Sequence, residues 1–157
     1  MESALWTVHS RDLIHYAAGL IGPTEAEDVV SSVFLRIMER QGFSSIDDPR
    51  RYLFRAVLNE CRMRFRRVSR QRMLYLGNLD VVLPPELHPE VFEAVMTLPI
   101  QQRAAIYLVY WEDLSVDDTA TLMDISPGTV KRYLHLARRK LRPWLESHVP
   151  EGASHAE

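Results

Sequence analysis

The stretch LSVDDTATLMDISPGTVKRYLHLARRKLRPWL, residues 114–145, decides how the rest of the chain is read. Ser115 stands before an apolar-periodic run with Asp118 three residues on, the pattern of a capped helix start. Asp124 interrupts that run where a tight turn needs a left-handed residue, and Asp tolerates that conformation better than most residues with a side chain. Ser126-Pro127 restarts a helix, with Ser as N-cap and Pro at the first helical position, where its missing N–H costs nothing. Val130, Leu134, Ala137 and Leu141 then fall on one face, and Lys131, Arg132, His135, Arg138, Arg139 and Arg142 on the other. A basic stripe alone is usually a solvated face. Joined to the caps, the turn and the clean apolar/basic split, it predicts a DNA-reading helix-turn-helix.

Upstream of this element the pattern is helical throughout. Residues 3–20 carry Leu5, Val8, Leu13, Ile14 and Ala17 as apolar contacts, and Gly22-Pro23 stops the run. Thr24 is placed to cap a second helix, with Glu25, Glu27 and Asp28 in its first turn and Val29, Val30, Val33, Phe34, Ile37 and Met38 as a core stripe. After a loop over 42–49, a third helix begins near Arg50, with Tyr52, Leu53, Ala56, Val57 and Cys61 on its buried face. Between Arg50 and Arg72 there are nine arginines and one acid, Glu60. Like charges at helical spacing destabilise a helix by a few tenths of a kcal/mol each, roughly, and a phosphate partner is the simplest account of tolerating them. Tyr52, Phe54, Phe65 and Tyr75 lie among these arginines, where core packing is the first expectation and base stacking the second. Gly77-Asn78, Pro84-Pro85 and Pro89 punctuate a linker. Helical signal resumes at Val91, breaks at Leu98-Pro99, and restarts with Pro99 at a first helical position.

The fold expected is all-α: two small helical domains joined by a short linker, the C-terminal one a helix-turn-helix. The boundaries read as 1–76, a linker over 77–87, a second domain over 88–148 and a polar, unstructured tail over 149–157. A net charge of −2 over 157 residues means that any nucleic-acid role rests on local charge. The one cysteine excludes an internal disulfide and a cysteine-cluster metal site, and fits a reducing cytoplasm. The six histidines have no ligand spacing, so no metal or other cofactor is expected. No apolar run approaches membrane-spanning length, and the N-terminus lacks a signal pattern, which predicts a soluble, cytoplasmic protein. No glycine-rich phosphate loop, nucleophile elbow or acid pair suggests catalysis.

Three stretches taken together resemble the extracytoplasmic-function (ECF) subfamily of sigma-70 factors. Ala26-Glu27-Asp28-Val29-Val30, continuing to Val33-Phe34-Leu35-Arg36, is similar to that family's polymerase-binding helix. Pro49-Arg50-Arg51-Tyr52-Leu53-Phe54-Arg55-Ala56-Val57, with Asn59 and Arg66-Arg67, is similar to its promoter-melting helix. Leu98-Pro99 with Arg103, then Leu114-Ser115, Ile125-Ser126-Pro127-Gly128-Thr129-Val130-Lys131 and Ala137-Arg138-Arg139-Lys140-Leu141-Arg142, resembles its second domain.

The resemblance implies a bacterial initiation factor that binds core RNA polymerase and directs it to promoter DNA, with no chemistry of its own. It implies −35 recognition by Ser126, Thr129, Lys131, Arg132, His135, Arg138, Arg139 and Arg142. It implies −10 recognition by Phe43, Arg51, Asn59, Arg62, Arg66 and Arg67, the loop near Phe43 taking an unstacked base. Core polymerase would meet Glu27, Asp28, Ser31, Ser32, Leu35 and Arg36. An anti-sigma factor is a further partner the family often has.

Departures bear on these roles. Ser31-Ser32 replaces a frequent Gln-Glu pair: drift with contacts elsewhere compensating is the first expectation, and weak core binding that phosphorylation could restore is the second. Met63 replaces a frequent aspartate, Thr119 an aliphatic residue and Asp124 a glycine. Tyr133 and Leu136 replace frequent arginines, removing two phosphate anchors. The competing reading is a sigma-like mimic that binds an anti-sigma or other protein partner without reading DNA. Retention of Lys131, Arg138, Arg139 and the first-domain arginines opposes it.

Overall fold

The computed structural model describes the backbone of residues 2–40, 42–72 and 89–148, and side chains within those spans over 3–40, 42–67 and 93–143. Tyr75, the linker and the tail beyond 148 lie outside the described residues. Seven helices follow in order: α1 (Glu2–Ile21), α2 (Pro23–Arg40), α3 (Pro49–Arg72), α4 (Pro89–Met96), α5 (Ile100–Tyr110), α6 (Val116–Met123) and α7 (Pro127–His148). No strand occurs among the described residues. The first domain is built on α1–α3 and the second on α4–α7.

Local chemistry places the boundaries. Gly22 takes φ 103°, a conformation that suits glycine, and separates α1 from α2. Pro23 is already helical, so Thr24 lies inside α2 instead of capping it. Gly42, at φ 65°, closes α2 by donating its N–H to the Ile37 carbonyl at 2.9 Å. Asp48 starts α3 by accepting the Arg51 N–H on Oδ1 at 3.1 Å, with Pro49 as the first helical residue. Pro99 is the N-cap of α5, one position earlier than its spacing suggested.

The core of the first domain is Leu13, Tyr16 and Leu20 from α1, Val29, Val30 and Phe34 from α2, and Leu53, Phe54 and Val57 from α3. Val8, Met38 and Tyr52 do not join it. They are 65%, 41% and 40% exposed, because α1, α2 and α3 each bury a narrower stripe than periodicity alone suggested. Cys61 is fully buried, and that burial pushes its thiol up to about 12.

The apolar core continues into the second domain. Ala104, Ala105, Leu108, Leu122, Val130 and Leu134 belong to the same buried cluster as the α1–α3 residues. Tyr16 is the join: its ring lies 5.0 Å from Phe54 in α3 and 5.2 Å from Tyr107 in α5, centroid to centroid. A smaller cluster of Ala94, Leu98, Ala137 and Leu141 fastens α4 to α7. The two helical domains are therefore packed together.

Candidate nucleic-acid interface

The helix-turn-helix is assembled by short-range hydrogen bonds. Ser115 caps α6, its Oγ accepting the Asp118 N–H at 3.0 Å, and Asp117 and Asp118 face the positive end of the helix dipole. Asp124 takes the left-handed conformation, φ 58° and ψ 47°, and Ile125 donates back to the Ala120 carbonyl at 3.0 Å. Ser126 then caps α7, its Oγ accepting the Thr129 N–H at 3.1 Å and sharing a 2.8 Å hydrogen bond with the Thr129 hydroxyl. Thr129 is half-buried and tied to this cap.

From that start, Val130, Leu134, Ala137 and Leu141 are buried, while Lys131, Arg132, His135, Arg138, Arg139 and Arg142 are exposed. Arg138 is held from outside its helix: its Nε donates to the Tyr110 hydroxyl and its guanidinium lies over the Tyr110 ring. Tyr133 faces inward, and its hydroxyl donates to Gln101 on α5. Lys140, on the same helix, donates to the Thr97 carbonyl at 3.1 Å between α4 and α5. Tyr110 escaped the sequence reading because only the α5–α7 packing brings it beside Arg138.

On the first domain, Arg51, Asn59, Arg66 and Arg67 are exposed on α3 and Arg62 is half-buried. Phe43 is a correction. Its ring is 3% exposed and packs 5.4 Å from the Phe34 ring, so it is a core residue and offers no surface to a base. The loop exposes Ser44, Ser45, Asp47 and Asp48 instead. Phe54 is likewise buried, under the Arg50 guanidinium, whereas Phe65 is half-buried with the Arg103 guanidinium over its ring.

The arginine excess on α3 is partly neutralised inside the protein. Arg64 reaches Asp28 at 2.5 Å, Glu60 at 3.0 Å and Glu25 at 3.3 Å, and donates to the Ser32 hydroxyl at 3.0 Å. Arg36 pairs with the other oxygen of Glu60 at 3.0 Å. Burial pushes the Glu60 carboxyl up, but hydrogen bonds and charge from Arg64 and Arg36 outweigh it and hold the group below the usual carboxylate range. Among the residues expected to meet polymerase, Asp28, Ser32 and Arg36 thus fasten α2 to α3, whereas Glu27 and Leu35 are free of these ties and exposed. The acids Glu25, Asp28 and Glu60 outnumber the bases Arg36 and Arg64 here, so a phosphate on Ser32 would enter a group already short of positive charge. That counts against modification at Ser32 as a way to restore binding.

An all-helical pair of domains ending in a capped helix-turn-helix with a basic outer face defines a DNA-binding regulator of transcription. Sigma-70 region 2 matches residues 5–71, and sigma-70 region 4 matches residues 89–141. The RNA polymerase sigma-E factor of Streptomyces antibioticus is 30% identical over 144 residues, covering 86% of this chain and 79% of that protein. The ECF RNA polymerase sigma factor SigL of Mycobacterium tuberculosis is 31% identical over 156 residues, covering 91% and 88%. The sigma factor RpoE of Bartonella quintana, solved in complex with the anti-sigma factor NepR, shares the fold at TM-score 0.72 and 22% identity, covering 94% of this chain and 98% of its own. CnrH, solved with the cytosolic domain of CnrY, aligns at TM-score 0.66 and 25% identity, covering 94% and 89%. The chain belongs to the ECF subfamily of sigma-70 RNA polymerase sigma factors.

Among the described residues, no helix is long and apolar enough to cross a membrane.

Proposed function

We propose that this sigma factor joins core RNA polymerase in the cytoplasm and selects promoters through two anchors, working by binding alone. In the second domain, Lys131 and Arg132, early in α7, read bases or adjacent phosphates of the −35 element in the major groove, with Thr129 beside them. His135, Arg138, Arg139 and Arg142 follow the DNA backbone, and Ser126 sets the start of the helix. In the first domain, Arg51, Asn59, Arg62, Arg66 and Arg67 line the path of the −10 strand, and Glu27 and Leu35 present α2 to the polymerase. The observation that carries this reading is the exposed basic face of α7, built on a capped turn in a chain whose residues 5–71 also match sigma-70 region 2.

The test is run-off transcription with core polymerase. Lys131→Ala with Arg132→Ala is expected to cut promoter-specific transcript at least tenfold while core binding stays as in the parent. Unchanged transcript would mean that α7 is not the reader.

A second reading, a sigma-like protein that engages an anti-sigma or other protein partner without DNA, draws support from Tyr133. Its side chain turns toward Gln101 where an arginine anchor would face phosphate. Tight binding to such a partner with no promoter-specific transcript would favour it.

A further inference from the structure

Glycine is the poorest helix former after proline, so a glycine inside a helix calls for a reason. Among the described residues, Gly22 and Gly42 hold positive φ at helix ends. Gly19, in the last turn of α1, leaves room that the other domain takes, for a Cβ there would meet the Tyr107 ring at 3.0 Å. Gly128 is different. It lies in the first turn of α7 with no positive φ, so its left-handed freedom is unused. Apart from the adjoining residues and the helix backbone, a Cβ built on it would meet only the Ser126 Oγ, at 3.9 Å, which is an ordinary contact. The fold has space for a side chain here, and a helix would prefer one.

The face on which Gly128 sits supplies a reason from outside the chain. Gly128 is exposed, and Lys131, Arg132, His135 and Arg139 follow it at spacings of three and four, all of them exposed. Val130, Leu134, Ala137 and Leu141 are buried on the opposite side. Side chains on a helix lean toward its N-terminus, so Lys131 and Arg132 work over the turn that contains Gly128. Neither fills the space above it. The basic face therefore opens on bare backbone, at the end of α7 that a recognition helix brings nearest to base edges.

Resting on the sigma reading above, we propose that Gly128 sets how deeply α7 seats in the major groove and is thereby a specificity-determining position of −35 recognition. A methyl added there holds the DNA off by roughly 1.5 Å, the length of the added bond. Hydrogen bonds to base edges span about 2.7–3.2 Å and are lost beyond about 3.5 Å, so that shift removes them. Phosphate contacts outlast it. Charge attraction falls off over about 8 Å at physiological salt, and the long stems of Arg139 and Arg142 can follow a displaced backbone. A side chain at 128 thus separates reading from holding: sequence discrimination falls first and overall DNA binding last.

The experiment uses holoenzyme assembled from core polymerase and the full-length chain, as parent, Gly128→Ala or Gly128→Leu. Parent holoenzyme first selects a fragment from a DNA pool randomised across both promoter elements. The same fragment with its upstream element scrambled is the non-specific probe, and fluorescence anisotropy reads both across a salt series. Gly128→Ala should cut the preference for the selected fragment about tenfold, as loss of a base contact would, and Gly128→Leu should cut it further. Affinity for the scrambled fragment should stay within about twofold of the parent's at unchanged salt slope. Each variant should melt no lower than the parent. Unchanged preference overturns the depth role alone, and so do equal losses on both fragments. A lower melting temperature also overturns it, since the glycine would then serve the fold. If the parent selects no fragment, the sigma reading itself falls and takes the depth role with it.

Discussion

Arg138 lies over the Tyr110 ring at 5.5 Å from its centroid and donates Nε to the Tyr110 hydroxyl at 2.6 Å. An exposed arginine ordinarily samples many rotamers, and this pairing narrows them before any DNA arrives. Arg138→Ala is expected to weaken promoter DNA binding and flatten the salt dependence by about one unit of slope, as one phosphate contact is lost. Tyr110→Phe leaves the charge in place, so affinity should fall by a smaller factor at unchanged slope. Fluorescence anisotropy across a salt series separates the two.

Within the helix-turn-helix, two side chains are poorly matched to their places. Thr119 is fully buried, and its hydroxyl has no hydrogen-bond partner among the described residues. Thr119→Val replaces that hydroxyl by a methyl of similar size and should stabilise the fold by about 1 kcal/mol. Asp124→Gly removes the cost of a left-handed side-chain residue, partly offset by a more flexible unfolded chain, for a gain of about 0.5 kcal/mol. Urea denaturation measures both, and the two gains should be separable from DNA affinity, because neither side chain is among the proposed contacts.

Glu112 should give a pH signature. Burial raises its carboxyl pKa, and the nearby Asp12 charge raises it further; the Arg50 pair, a Tyr107 hydrogen bond and His15 only partly compensate. A folded pKa above the unfolded one means the protonated form suits the native state better. Its stabilising contribution is full below the unfolded pKa and is lost as pH rises through the folded one. Glu112→Gln keeps a hydrogen-bond acceptor for Arg50 without the charge. The variant is expected to melt higher than the parent at pH 7, with the gap closing toward pH 4. Glu60, whose pKa is lowered, works in the opposite sense in both proteins and cancels from the comparison.

Ser32→Glu adds an acid beside Glu60, Asp28 and Glu25, which already outnumber Arg64 and Arg36. The substitution should destabilise the first domain by about 1 kcal/mol through like-charge crowding, and should not tighten core polymerase binding. Thermal melts and a polymerase pull-down with purified core check the two outcomes.

Elements whose chemistry is local were legible in the sequence. Ser115, Asp124 and Ser126 each act within a few residues of themselves, so residue type and spacing specify caps and turn together. The exposed basic face of α7 followed from the same period. What the sequence hid depends on packing between distant segments. Phe43 read as a loop aromatic, yet Phe34 draws its ring into the core. Nine arginines on one helix read as a phosphate track, but α2 happens to set Glu25 and Asp28 beside Arg64, and α6 sets its carbonyl end beside Arg55. Nothing in residue type marks which arginine meets which partner. The close approach of Tyr107 to Gly19 could be suspected only from a glycine inside a helical run.

The burial of Cys61 has a practical side. A thiol held near 12 and closed off from solvent is almost never a thiolate at neutral pH, so maleimides and peroxide have little to attack in the native protein. Cysteines introduced at surface positions can therefore carry fluorophores while the native one stays in place. The distance between the two domains then becomes measurable molecule by molecule, as polymerase and promoter are added in turn.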